Sequence, residues 1–186
     1  QVDPDRIAGI PGVELLLGVT GGHPRVDALA GQKVQIGDAV FGEKPVLIAG
    51  PCSVEDPDQV MTCAQLAKAA GATILRGGAY KPRTSPYSFE GSGHQGLLWL
   101  RAAADAHGLA VVTEVMSERR VEAVAEVADL MQVGSRNMQN FALLGEVGKA
   151  GKPVLLKRGV AASIKEWLLS AERLLVSGAP SVLLCE

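Results

Sequence analysis

The chain is poor in aromatic residues and cysteine, nearly neutral, and without a long apolar run. Aromatic residues make up 4% of its 186 positions, too few for the stacking platform that single-stranded nucleic acids require. A net charge of -2 argues against a general polyanion binder, so any local basic cluster needs a specific task. No apolar stretch approaches the roughly 20 residues of a transmembrane helix. Gln1 to Arg6 is polar and contains Asp3 and Asp5, unlike the start of a secretory signal. The three cysteines, Cys52, Cys63 and Cys185, are odd in number and irregular in spacing. That argues against a disulfide framework and for a reducing compartment, so a cytoplasmic protein is expected. Hydrophobic residues at 47% and charged residues at 20% fit a globular domain with a full core.

Short apolar runs recur with amphipathic stretches between them. Val46–Ala49, Thr73–Arg76, Ala110–Thr113, Leu130–Val133, Val154–Lys157 and Ser181–Leu184 read as strands. Most are apolar throughout, as strands covered on both faces should be. Asp58–Ala70, Gly93–His107, Glu118–Val127, Asn140–Ala150 and Ser163–Ser177 read as helices. Ser117 precedes one of them, and Ser163 with Glu166 fits a capping box. Gly71, Gly108, Gly151 and Gly178 stand where helices should end. Repeated βα units predict a parallel sheet. The expected fold is α/β, a (β/α)8 TIM barrel with about six βα units in this chain. The chain stops as the sixth strand ends, which suggests an incomplete barrel. An open doubly wound sheet explains the same strands, and strand count alone does not decide.

Residues 1–45 differ. Val13–Val19 is strand-like and Thr20–Pro24 reads as a turn-rich linker. Lys33–Ile36 and Ala39–Phe41 flank Gly37-Asp38, a hairpin signal. Such a hairpin extension could plug the N-terminal mouth of a barrel. The expected division is an N-terminal segment over 1–32 and a barrel over 33–186.

Residues 75–86 read Leu-Arg-Gly-Gly-Ala-Tyr-Lys-Pro-Arg-Thr-Ser-Pro. Glycines and prolines prevent a helix there, so Arg76, Lys81 and Arg83 should lie on a constrained loop after a strand. Ligands bind at that end of α/β sheets, and this cluster suits a doubly anionic or twice-phosphorylated substrate. Cys52 follows Gly50-Pro51 at another strand end. It could bind a divalent metal, act as a nucleophile, or be a small buried hydrophobe. Cys63 and Cys185 read as core, and His23, His94 and His107 as structural or solvated. Glu114, Arg136, Lys157 and Glu186 add ionisable groups at or just beyond other strand ends, which are costly to bury without a ligand or partner.

These residues carry a family resemblance. Ala-Gly-Pro-Cys-Ser at 49–53, Arg-Gly-Gly-Ala-Tyr-Lys-Pro-Arg-Thr-Ser-Pro at 76–86, Gln-Val-Gly-Ser-Arg-Asn-Met-Gln-Asn at 132–140 and Leu-Lys-Arg-Gly at 156–159 resemble the 3-deoxy-D-arabino-heptulosonate-7-phosphate (DAHP) synthases. The likeness is to the bacterial subgroup related to 3-deoxy-octulosonate-8-phosphate (KDO8P) synthases. It implies a transferase that condenses phosphoenolpyruvate with erythrose 4-phosphate, the first step of the shikimate pathway. By the same resemblance, Cys52 is a metal ligand for a divalent ion such as Mn2+. Arg76, Arg136 and Lys157 hold phosphoenolpyruvate, and Lys81 stands near the reacting centre. Arg83 and Thr84 grip the sugar phosphate, and Glu114 orients a catalytic water or a cation. The other metal ligands of the family come from strands and loops beyond this chain. Relatives form homo-oligomers, dimers or tetramers. Some carry a ferredoxin-like regulatory domain, of which residues 6–30 could be the end, and chorismate mutase is a conceivable partner. Two alternatives are a KDO8P synthase acting on arabinose 5-phosphate and a non-catalytic barrel that binds phosphorylated metabolites. Lys-Pro-Arg-Thr at 81–84 favours the DAHP enzyme.

Overall fold

The computed structural model describes residues 22–186; the strand-like run at 13–19 lies outside them. A helix α1 (Pro24–Leu29) leads into a hairpin of β1 (Val34–Ile36) and β2 (Ala39–Phe41). Six strands follow: β3 (Ile48–Ala49), β4 (Ile74–Arg76), β5 (Ala110–Glu114), β6 (Leu130–Val133), β7 (Val154–Lys157) and β8 (Val182–Cys185). Their helices are α2 (Pro57–Ala69) after β3, α3 (Gly93–His107) after β4, α4 (Val121–Val127) after β5, α5 (Phe141–Lys149) after β6 and α6 (Ile164–Ser177) after β7.

The six strands form one sheet in strict chain order, every neighbouring pair parallel. A doubly wound sheet reverses its strand order at a switch point, whereas a barrel adds each strand beside the last. The sheet is therefore an arc of a (β/α) barrel.

The register sorts side chains by face, since neighbours along a strand point to opposite sides. Ile74, Ala110, Val112 and Leu130 are buried on the concave face. Leu75, Val111, Met131, Val133, Val154 and Leu156 are buried on the other face among the helices. The hairpin closes the N-terminal end of the concave side, where Ile36 and Ala39 join the concave cluster. Its two-residue Gly37-Asp38 turn sets the pairing Ile36↔Ala39.

Helix ends follow local chemistry. Ser163 accepts from the Glu166 backbone N–H while the Glu166 side chain accepts from the Ser163 backbone, the reciprocal cap expected for α6. Trp167, Ala171, Leu174 and Leu175 line its buried face, and the Trp167 indole donates to Leu156 O at 3.1 Å. The four glycines expected to end helices all take positive φ. Two local expectations change. Ser117 makes no side-chain cap, and the helix after β5 opens as a 3-10 turn over Glu118–Arg120. Pro24, read as the end of a linker, opens α1. That helix is fixed from far away: the buried Glu172 carboxylate of α6 accepts from the backbone N–H groups of Arg25 at 3.1 Å and Val26 at 2.9 Å. No helix among the described residues is long and apolar enough to cross a membrane.

Candidate active site at the C-terminal strand ends

Two residues above the apolar layer, the same alternation turns polar. Arg76 pairs with Val112, Glu114 with Gln132, and Gln132 with Leu155, two residues before Lys157. Arg76, Glu114, Gln132 and Lys157 therefore share the concave face at the C-terminal ends of four adjacent strands.

The chain leaves β3 through Gly50, whose φ of 146° lies in a region that disfavours side chains. A Cβ there would stand 2.1 Å from Arg76 O. This close passage brings Pro51 and Cys52 onto the end of β4. The Arg76 guanidinium donates to Pro51 O at 3.2 Å and Cys52 O at 2.9 Å. Lys81 Nζ donates to Cys52 O at 2.6 Å and lies 3.3 Å from Cys52 Sγ. The hydrogen bond and charge of Lys81 hold the Cys52 thiol below the usual thiol range, with Arg76 adding to the effect. That favours the thiolate, the form that ligates metals or attacks electrophiles.

Glu114 is buried. Burial pushes its carboxyl above the usual range, while Arg76, Lys81, Lys157 and Arg136 pull it back towards ionisation. Gln132 Nε2 donates to Glu114 Oε2 at 3.1 Å. Thr113, on the opposite face, donates to Gly77 O at 2.7 Å and so fixes the start of the basic loop against β5.

That loop is braced at several points. Lys81 N donates to Glu90 O at 2.8 Å, Arg136 donates to Pro82 O at 2.7 Å, and Arg83 Nε donates to Phe89 O at 3.0 Å. The guanidinium of Arg120 lies 4.8 Å from the Tyr80 ring centroid. Arg83 and Thr84 are exposed farther out, with no bond to the inner cluster among the described residues. The structure thus gathers Cys52, Arg76, Lys81, Glu114, Arg136 and Lys157, and leaves Arg83 and Thr84 at the rim. Arg158 turns away, donating to Ala162 O at 2.9 Å and pairing with Glu186.

Among the described residues, no three His, Cys, Asp or Glu side chains cluster to hold a metal. His94 is exposed and His107 ends α3. Cys52 is suited to supply one ligand, and these residues alone do not complete a site. Cys63 is half-buried in α2, and half-buried Cys185 pairs with Lys157 in the sheet. Gln132 carried no assigned role in the sequence. The signal was present: Leu130 and Gln132 are two apart, as are Val112 and Glu114, so both polar groups had to face the same way as the core.

A sequence profile of the DAHP synthetase I family matches residues 25–186. The chain is 50% identical over 164 residues to a phospho-2-dehydro-3-deoxyheptonate aldolase of Thermotoga maritima, covering 88% of this chain and 47% of that protein. A 2-dehydro-3-deoxyphosphooctonate aldolase of Nitratidesulfovibrio vulgaris is 31% identical over 171 residues, 88% of this chain and 60% of that protein. The crystal structure of the Thermotoga maritima DAHP synthase superposes with a TM-score of 0.78 at 50% identity, over 83% of this chain and 45% of that one. A truncated form of the Thermotoga maritima enzyme gives 0.74 at 46% identity, over 83% of this chain and 56% of that one. The chain thus spans about half the length of the curated relatives it matches. With the consecutive parallel strands and the cationic layer at their C-terminal ends, these matches establish that the chain belongs to the DAHP synthetase I family.

Proposed function

We propose that the protein carrying this chain condenses phosphoenolpyruvate with erythrose 4-phosphate, giving 3-deoxy-D-arabino-heptulosonate 7-phosphate and inorganic phosphate. The observation that carries this reading is the ring of Arg76, Lys81, Arg136 and Lys157 around one buried carboxylate. Four cations about a single acid leave an excess of positive charge at the barrel mouth, which suits substrates that bring a carboxylate and two phosphates.

Arg76, Arg136 and Lys157 hold phosphoenolpyruvate, with the arginine forks matched to its flat oxyanions. Arg83 and Thr84 at the rim take the phosphate of the sugar. That places the aldehyde inward, towards Lys81, which as a compact cation steadies negative charge on the aldehyde oxygen. Carbon 3 of phosphoenolpyruvate bonds to the aldehyde carbon, whose oxygen gains a proton. Water adds its oxygen to carbon 2; one of its protons offsets the one gained by the aldehyde oxygen and the other leaves with the phosphate. The bond from carbon 2 to the phosphate oxygen then breaks, phosphate departs and a ketone remains. Glu114 is suited to hold that water, because burial brings its carboxyl closer to neutrality and so to proton exchange. A divalent ion would take Cys52 as one ligand and would supply positive charge beside the reacting oxygens. In this reading residues 1–32 precede the barrel and 33–186 belong to it.

The test is phosphate release by the full-length protein with both substrates and Mn2+. Release with arabinose 5-phosphate in place of erythrose 4-phosphate would transfer the assignment to the octulosonate enzymes. No release with either sugar would overturn it.

A further inference from the structure

We propose that Gln132 is a positioning residue that holds the Glu114 carboxylate flat against β6, and that Gly134 is glycine because this carboxylate occupies its side-chain space. The proposal rests on the reading of Glu114 given above and adds how its geometry is set. Glu114 and Gln132 are paired across β5 and β6, so both side chains rise from the same level of the concave face. Their backbones are tied just beyond, where Val115 N donates to Gln132 O at 3.0 Å. The carboxylate leans across to β6, and Oε2 takes the Gln132 amide hydrogen at 3.1 Å. The other oxygen lies over Gly134: a Cβ there would stand 2.1 Å from Oε1 and 2.8 Å from the carboxyl carbon. The nearest atoms such a Cβ would meet all belong to the Glu114 carboxyl, so a side chain at 134 would push that carboxyl out of its present place.

The charged groups facing the carboxylate come from every neighbouring element. They are Arg76 on β4, Lys81 on the loop after it, Arg136 after β6 and Lys157 on β7. None of these cations hydrogen-bonds to Glu114 among the described residues; Gln132, a neutral donor, makes the direct bond. A neutral donor fixes orientation without forming an ion pair that would hold the carboxylate firmly ionised. Oε1 accepts no hydrogen bond among the described residues, while burial continues to favour protonation. The arrangement suits an acid–base or water-holding carboxylate better than a structural one.

The test uses the full-length protein in two variants that lose the reach of the donor, Gln132→Met at similar volume and Gln132→Asn with an amide retained. The carboxyl stretch of Glu114 is followed by infrared difference titration and identified by its absence in Glu114→Gln. Losing a hydrogen bond to the charged form raises the titration midpoint, by about one to two pH units. The kinetic counterpart is a kcat lowered about tenfold with the KM for phosphoenolpyruvate unchanged and the acid side of the pH profile moved upward. Gly134→Ala should lower kcat in the same way. If Gln132→Met does not fold, Gln132→Asn still reads the titration. An unmoved midpoint in the folded variants, or a change confined to KM, would overturn the proposal. The infrared reading needs no turnover, so it remains decisive even if the wild-type protein releases no phosphate.

Discussion

The two ends of the concave face use the same strands and the same alternation for opposite ends. At the N-terminal end Ile74, Ala110, Val112 and Leu130 meet Ile36 and Ala39 of the hairpin, all buried and apolar. Two residues further along β4, β5 and β6 stand Arg76, Glu114 and Gln132. A step of about 7 Å along a strand separates a sealed core from a layer of charge. The apolar end contributes cohesion and asks only for shape. The polar end contributes little cohesion, since grouped cations repel and a buried carboxyl is costly. Barrel enzymes divide labour this way: one end tolerates change in activity but not in packing, the other the reverse.

Substitutions should keep the ends separable. Leu130→Ala opens a cavity at the closed end, and urea unfolding should show a loss of about 2–5 kcal/mol. The surviving folded fraction should keep its KM values. Arg136→Ala at the open end should cost about 1.5–3 kcal/mol of phosphoenolpyruvate binding, read as a raised KM, with the urea midpoint little changed. An Arg136 variant that unfolds readily would show that the tie to Pro82 O matters for folding, and the separation would fail. Arg83→Ala should raise only the KM for erythrose 4-phosphate, by about tenfold; a shift in the phosphoenolpyruvate KM would place Arg83 in the inner cluster. Lys81→Met should move Cys52 the smallest amount. The thiol is held low chiefly by the Lys81 hydrogen bond, so removing it raises the pKa and leaves less thiolate at neutral pH. Alkylation of Cys52 should therefore slow at pH 7 and recover as pH rises. Equal rates for both proteins at pH 7 would argue against the contact.

The sequence was most legible where chemistry is local. Apolar runs marked the strands, because strands covered on both faces have no polar side to obscure them. The Ser163 and Glu166 pair and the four helix-ending glycines marked helix ends, and Gly37-Asp38 marked the hairpin. The consecutive strand order needed the register, since strand count allowed an open sheet as well. Helix α1 was missed because its anchor, Glu172, lies about 147 positions away. The Ser117 cap failed because a 3-10 turn begins there instead. Within the site, the cations and Cys52 were named from motifs and the structure gathers most of them. Gln132 and Gly134 stood in a quoted motif without a role. Their meaning depends on a neighbouring strand, and no spacing along one strand reveals what leans across from the next.

The hairpin has a consequence in time as well as in space. It leaves the ribosome before the residues it rests on, from Ile74 to Leu130, which are made later. A two-stranded hairpin is marginal alone in water, so Ile36 and Ala39 await their seat as unprotected apolar surface. Contacts of such long sequence separation form late in folding. Shortening Ile36 to Val should therefore hasten unfolding more than it slows folding, as stopped-flow kinetics on the full-length protein would record. The hairpin, synthesised before the six parallel strands, is thus among the last elements to be secured, and the nascent chain carries an apolar patch until the fourth of those strands is in place.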